Sequence, residues 1–420
     1  MSLPKQSTRG RALTVDFWAA RFRPFIIGLF VLGPLMLLVT SYTGDSDQLI
    51  VGDGREYFEY ARVLVIEGHL PYEHLRYPCG VSLIGIIGYA PSVWLARAAG
   101  WLERGRAAEG WAIFNQFSFC APLILLAAAG VWANLRMLAR LGFAGPVARF
   151  SLMCWLVGTN LPWYLFKEPA MSESATFSTL SIYYYLLIRD GYGNVSARPD
   201  PRRWAVIGFF LGLAGAIRQQ NILHCAAVPL LVVLQQRGVW REQPRQAARN
   251  VVWCVAPAAA ASAVPFVVPW IVWSFAREGA RLYAYGSEGF DFLHPRLLEI
   301  LILPGYHGFF AWTPMFALAA LGWIFFFRRH RGLFAPFLVP AFLQYYLIAS
   351  WWAPSFGASI GHRGFITILP VLLPGLAALL EWSRARGGRV ERALAALLLA
   401  LIAANGVVLL MLATGRLSAN

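Results

Sequence analysis

Four stretches of the chain combine residue types that can do chemistry. In VGDGREYFEYARVLVIEGHLPYEHLRYPCG (51–80), Asp53, Tyr57, Tyr60 and Leu64 recur at helical spacing. In KEPAMSE, Glu168 and Glu173 flank Pro169. IRQQN places Arg218 inside an otherwise apolar stretch, and WWAPSFGASIGHRGF sets His362 and Arg363 after Gly357 and Gly361. A carboxylate at an interface can accept a proton from an attacking hydroxyl. A guanidinium at membrane depth faces a cavity or a partner, and its planar fork suits a phosphate. Glycines in the last stretch permit close backbone approach, and PGYHGFFAWTP (304–314) is a second aromatic, histidine-bearing junction.

Each residue also has a structural explanation. Asp53 is a fitting N-cap, with Glu56 three residues later completing a capping box. Ser172 and Glu173 suit a helix start, and Lys167 can partner Glu168 at a surface. Arg363 with the neighbouring tryptophans fits a headgroup belt. Gln219, Gln220 and Asn221 make Arg218 part of a polar patch rather than a lone snorkelling arginine.

The elements that must position these residues are membrane spans. The 420 residues are 58% hydrophobic and 14% charged, and many segments reach the roughly 20 apolar residues a bilayer crossing needs. The net charge of +15 would point to nucleic acid in a soluble chain. Here the arginines cluster between apolar segments, so the positive-inside bias explains them and no nucleic-acid partner is expected. Five scattered cysteines show neither metal-ligand spacing nor a disulfide framework. The N-terminal segment has no small-residue cleavage site after a short apolar core, which predicts no removable signal peptide.

The arginine pattern predicts an all-α, polytopic helical membrane protein. It is one domain over 1–420, with about 11 spans, one or two broken or short segments, and outer-side juxtamembrane helices. Spans are expected at 24–42, 81–96, 150–165, 173–188, 251–275, 308–327, 334–352, 364–381 and 393–413. The outer loop 43–78 carries seven acidic residues against three arginines. A second outer loop is expected at 276–306 and a third at 353–363, so Ser287 and Ser355 face outward and Ser383 inward. Arg97, Arg104 and Arg106 mark one inner loop, and Arg136, Arg140 and Arg149 the next. The stretch 111–135 between them is long enough for one crossing but not two, which is a parity problem. Either one loop violates the charge rule or the stretch is broken, and Pro122 favours a break. The stretch 204–236 reads as a hairpin whose polar tip, 218–221, reaches the outer side. Such breaks are tolerated where protein or a wet cavity satisfies the backbone.

Taken in order, these stretches resemble the GT-C superfamily of integral-membrane glycosyltransferases, nearest to bacterial members akin to protein O-mannosyltransferases and aminoarabinose transferases. GDGREYFEYARVLVIEGHLPYEHLRYPCG is similar to the family's first outer loop and KEPAMSE to its second acidic motif. GLAGAIRQQN resembles its arginine-bearing hairpin, and LPGYHGFFAWTP and SFGASIGHRGFITILPVLLP resemble late segments. The chain departs from the pattern in carrying Glu where many relatives have Asp, RQQN for the commoner Arg-Pro, and no large soluble domain after the last spans.

The resemblance implies a polyprenyl-phosphate-linked sugar as donor, a glycan or lipid acceptor, and inversion at the anomeric carbon. The chemistry would take place on the outer side of a bacterial inner membrane. By that analogy Asp53 is the general base, Glu168 and Glu173 form the second acidic motif, and Arg218, Arg363 and His362 hold the donor phosphate. Tyr57 and Tyr60 offer a sugar-stacking face. A divalent metal stays open, because acidic clusters hold metal in some members and not in others. The alternative is a lipid-linked sugar flippase or secondary transporter, which shares broken helices and buried charges. The absence of an internal repeat and the gathering of polar groups on one side count against it.

Overall fold

The computed structural model describes residues 14–42, 49–70, 77–101, 109–193, 199–276, 289–357, 360–414 and 416. Its principal helices are α1 (Phe22–Tyr42), α2 (Gly54–Arg62), α3 (Gly80–Ala98), α4 (Ile113–Arg140), α5 (Gly145–Val157) and α6 (Ser172–Leu186). They continue with α7 (Pro201–Ile217), α8 (Ala227–Gln235), α9 (Pro244–Ala276), α10 (Met315–Arg329), α11 (Phe334–Ala349), α12 (Leu369–Ala385) and α13 (Gly388–Ala413). Among the described residues the only β pairing is an isolated bridge between Phe290 and Trp351. Six helical segments are long and apolar enough to cross a membrane: Gly80–Ala98, Ile113–Arg140, Pro244–Pro269, Arg331–Ala349, Arg363–Ala385 and Gly388–Ala413. The outermost of them expose large apolar side chains, such as Val252, Trp253 and Val264 on α9 and Val407 and Leu410 on α13. Soluble monomers rarely leave such faces uncovered. The chain is an all-α helical membrane protein.

Most of the basic clusters gather at one end. Arg149 donates to the Ala19 carbonyl, and Arg384 pairs with Asp16. Arg329 binds Glu381 and the Gly142 carbonyl, while Tyr192 meets His330. At the opposite end lie Asp53, the start of α6 and the segments 289–307 and 350–357, the last two joined by hydrogen bonds such as Trp352 N to the Gly289 carbonyl. Ser355 sits at this end, its carbonyl 3.1 Å from His307 Nδ1. Ser287 lies outside the described residues. Ser383 is at the basic end but fully buried in α12, so it cannot report sidedness.

The stretch 111–135 is not broken. Helix α4 runs uninterrupted through Pro122. Proline leaves the carbonyl four residues earlier without its helix donor, and Gly88 of α3 packs directly over that Ser118 carbonyl and the Pro122 ring. A Cβ at position 88 would collide there, so a glycine lets the neighbouring helix splint the weak point. Parity is resolved by the other limb. The Gln116 side chain, in the first turn of α4, accepts from Leu49 N and Ile50 N at 2.9 and 3.0 Å, and the Glu109 backbone carbonyl accepts from Arg62. Further along, Gly130 packs on Ser178 and Asn134 bonds Ser181, so α4 runs parallel to α6 towards the basic end. Asn115 donates to Ser92 of α3, and the Tyr89 hydroxyl to the Gly110 carbonyl, so α3 runs antiparallel to α4 and its Arg97 end lies beside the start of α4, at the Asp53 end. The expectation that Arg97 marks the basic end is corrected; Arg104 and Arg106 fall outside the described residues.

The stretch 204–236 is a hairpin. Trp204 of α7 and Leu231 of α8 both flank Gly191 near the basic end, and Gln235 bonds Gly191 and Gly193 there. At the other end Arg218 turns the chain in extended conformation. A 3-10 segment, Gln219–Ala226, then leads into α8.

Two packed cores result. The larger surrounds α12, buried along most of its length, and α6, buried on nearly every face. Ser178, Thr179 and Ser181 on α6 donate their buried hydroxyls to carbonyls four residues back. Glycines at 208 and 212 let α7 approach Ala258 and Ser262 of α9 backbone to backbone. The smaller core joins α2, α3 and the first half of α4 through Phe58, Tyr89, Phe119 and Leu123. This second unit forms a cap over the Asp53 end, and Ala170, Ala175 and Ile217 of the bundle close its underside.

Candidate functional site

At the seam between cap and bundle, four charged residues meet from four separate parts of the chain. Asp53 follows Gly52, whose φ of +58° turns the chain into α2. Its side chain makes no capping bond to α2. Instead Asp53 Oδ2 accepts from Arg363 Nη1 at 2.8 Å. Arg363 Nε lies 3.9 Å from Glu173 Oε1, and Arg218 Nη2 donates to the same oxygen. Arg218 Nε donates to Ser172 Oγ at 2.8 Å, and that hydroxyl lies 3.4 Å from Glu173 Oε2. Glu173 is fully buried, whereas the Asp53 side chain is 28% exposed. One carboxylate thus sits inside, clamped by both arginines, and the other sits at the opening.

Local sequence explains how each group is held. Glu173 falls in the first turn of α6, where negative charge is favoured. The chain enters that turn through a π-helical segment, Trp163–Lys167, a local widening often found at functional sites. Arg218 ends α7, and Asn221 caps that end by donating to the Ala214 carbonyl at 2.8 Å. Arg363 opens a 3-10 turn, Arg363–Ile368, just after Gly361 at φ +59°. Ahead of it, the Ile360 carbonyl accepts from Asn160 Nδ2 at 2.8 Å and from the Tyr164 hydroxyl at 3.5 Å. Phe356 lies with its ring 5.9 Å from the Arg218 guanidinium carbon. It adopts a φ of +58°, and His307, bonded to the Ser355 carbonyl, a φ of +55°. Left-handed backbone at such bulky residues is strained, and strain of this kind clusters at functional sites.

Two carboxylates and two guanidiniums balance the cluster, yet donors remain unspent. Arg218 Nη1 and Arg363 Nε are buried without a hydrogen-bond partner among the described residues. Glu168 stands beside the cluster and makes no ion pair among the described residues. Burial raises its pKa above the ordinary carboxylate value, and the charge of Glu173 adds to that. His362 is buried between Phe356 and Phe365, at ring distances of 5.5 and 4.5 Å, and burial pushes its imidazole down to about 3. It is neutral at neutral pH.

Asp53, Glu173, Arg218 and Arg363 are thus brought together, with Glu168 and His362 at the margin. Tyr57 and Tyr60 are not part of the opening: they are 3% and 6% exposed, and Tyr57 packs on Tyr77. The capping-box alternative for Asp53 does not hold, because its side chain is committed to Arg363. Lys167 is exposed and makes no ion pair with Glu168. Sequence reasoning missed Ser172 as an arginine acceptor and Asn160 and Tyr164 as the clamp behind Arg363. The polar pair Thr159 and Asn160 inside an apolar run was the available signal for the clamp. Among the described residues no three His, Cys, Asp or Glu side chains converge as metal ligands would. No family model matches the chain, and no curated protein matches it.

Proposed function

We propose that the chain is an inverting glycosyltransferase of the GT-C kind, with about eleven spans in a bacterial inner membrane and its site on the outer side. It moves a sugar from a polyprenyl-phosphate donor to a glycan or lipid acceptor. The observation that carries the reading is the buried carboxylate of Glu173 clamped by two arginines, one of which also holds Asp53 at the opening. Gathering of this cluster at one end favours a one-sided reaction over the two-sided access a flippase needs.

The chemistry follows from charge and position. The donor phosphate takes the unspent N–H groups of Arg218 and Arg363, where Glu173 keeps both guanidiniums in place. Drawing Arg363 towards the phosphate releases Asp53. The acceptor hydroxyl oxygen attacks the anomeric carbon and its proton passes to Asp53. The bond from the anomeric carbon to the phosphate oxygen breaks, and the electron pair leaves with polyprenyl phosphate. The arginines meet the charge that develops there.

The test is mass spectrometry of lipid and glycan pools from cells with the wild-type protein, without it, and with Asp53→Asn. One polyprenyl-phosphate sugar should accumulate, and one glycan modification should vanish, in both altered strains. Unchanged pools on deletion would exclude glycosyl transfer. Sidedness is checked separately with an impermeant thiol reagent on single cysteines at Ser355, Arg97 and Arg389. Positions 355 and 97 should label from outside and 389 only from inside.

A further inference from the structure

The basic end holds a cavity that the reaction proposed above does not use. It measures about 220 Å³ and opens between the C-terminal turns of α10 and α12. That is below the ~300 Å³ at which whole small molecules are usually enclosed, so its size suits a headgroup rather than a metabolite. Phe143, Phe325 and Trp382 wall it, and Arg328 and Arg329 stand at its rim against a single carboxylate, Glu381. Arg329 is already committed: it donates to Glu381 at 2.7 Å and to the Gly142 carbonyl at 3.2 Å. Arg328 is exposed, rests over the Phe325 ring at 6.0 Å, and makes no ion pair among the described residues.

His330 also lines the cavity. It is 9% exposed and its Nδ1 lies 3.3 Å from the Tyr192 hydroxyl. Its Nε2 is buried with no hydrogen-bond partner among the described residues. Along α10, Leu321, Ile324 and Arg328 fall at i, i+3 and i+7, which places them on one stripe. Leu321 and Ile324 are 55% and 52% exposed, so an apolar track runs down the helix to the cationic rim.

We propose that this cavity binds the phosphate headgroup of an anionic phospholipid whose acyl chains lie along Leu321 and Ile324. Arginines at a helix C-terminus are favoured by the helix dipole alone. That explanation leaves the aromatic-walled cavity and the aligned apolar track without a purpose. Basic pockets between membrane helices hold anionic headgroups by the same charge and shape complementarity. The site is independent of the Asp53 cluster, so neither proposal depends on the other.

The test is native mass spectrometry of the full chain released from detergent, titrated separately with phosphatidylglycerol and phosphatidylcholine, and with inorganic phosphate as a third arm. One phosphatidylglycerol should be retained over phosphatidylcholine. Arg328→Ala, an exposed change that spares the fold, should weaken that retention about fivefold. Trp382→Ala should weaken it too by removing a wall. Equal retention of both lipids, or retention unchanged in Arg328→Ala, overturns the proposal. Displacement of phosphatidylglycerol by millimolar inorganic phosphate also overturns it, since the headgroup alone would then suffice without the apolar track.

Discussion

The cap and the bundle both contribute charge to the same cluster, but they hold it differently. In the bundle, Glu173 is fully buried and its helix α6 is packed on nearly every side. In the cap, Asp53 precedes a short polar helix whose Arg55 is exposed, and its link to the bundle is a partly exposed ion pair with Arg363. Breaking a buried pair strands a charge away from water, whereas a partly exposed pair is screened and contributes little. The bundle side of the cluster is therefore a matter of stability as well as chemistry. The cap side is free to be chemistry alone.

The strongest way to break this comparison is at Glu173. Glu173→Ala leaves two guanidiniums facing one another without a shared partner. It should destabilise the protein by about 3–5 kcal/mol, read as a lowered thermal midpoint in detergent. A variant as stable as wild type would show that the buried pair is dispensable and that the two regions do not differ in this way.

Asp53→Asn is the converse. It removes one charge at the opening but keeps a side-chain oxygen that can still accept from Arg363, so the cost should be about 1–2 kcal/mol. The fold should survive while glycosyl transfer falls at least ~100-fold. Normal turnover in the Asn variant would remove Asp53 from the reaction. A large loss of stability would mean that the cap is pinned by this pair.

Arginine-to-lysine changes sharpen the comparison further. At Arg218 the Nε and Nη2 groups engage Ser172 and Glu173, and a lysine cannot reach both while still offering a third donor to a phosphate. Arg218→Lys and Arg363→Lys should each weaken donor binding by roughly tenfold, with the double variant weaker still. Donor titration with each purified variant decides it. If both single variants bind like wild type, the phosphate role of these arginines falls.

How much of this was legible in the sequence depends on the range of the interaction. Arginine clusters at 136–149, 328–331 and 384–392 foretold one end of the bundle because charge excluded from apolar segments is a local signal. Arg97 misled, since the same signal cannot tell a basic end from a basic turn tucked beside a cap. The residues of the cluster stood out individually as charge beside or within apolar runs. Their pairing did not: Arg363 reaches Asp53 across 310 positions, and nothing local distinguishes that choice from an N-cap. The continuity of α4 was hidden for a related reason, because the splint at Pro122 is a glycine on another helix.

The smallest effect expected concerns pH. His362 sits beside Arg363, and burial lowers its pKa from 6.5 to about 3. Below 6.5 the unfolded chain takes up a proton on this residue that the folded chain refuses until about 3. Stability is therefore lost as pH falls through that window and is flat above it. Between pH 7.5 and 5.5 the loss should be about 1 kcal/mol. His362→Phe matches the aromatic surroundings of Phe356 and Phe365 and removes the titration, so its thermal midpoint should lose that share of the slope. The comparison makes the outcome specific: the change should alter the acid sensitivity of the bundle side. An unchanged slope in the variant would show that His362 is not the group responsible, and would leave the raised carboxyl of Glu168 unable to replace it. A carboxyl raised by burial opposes stability as pH rises, which is the opposite sign.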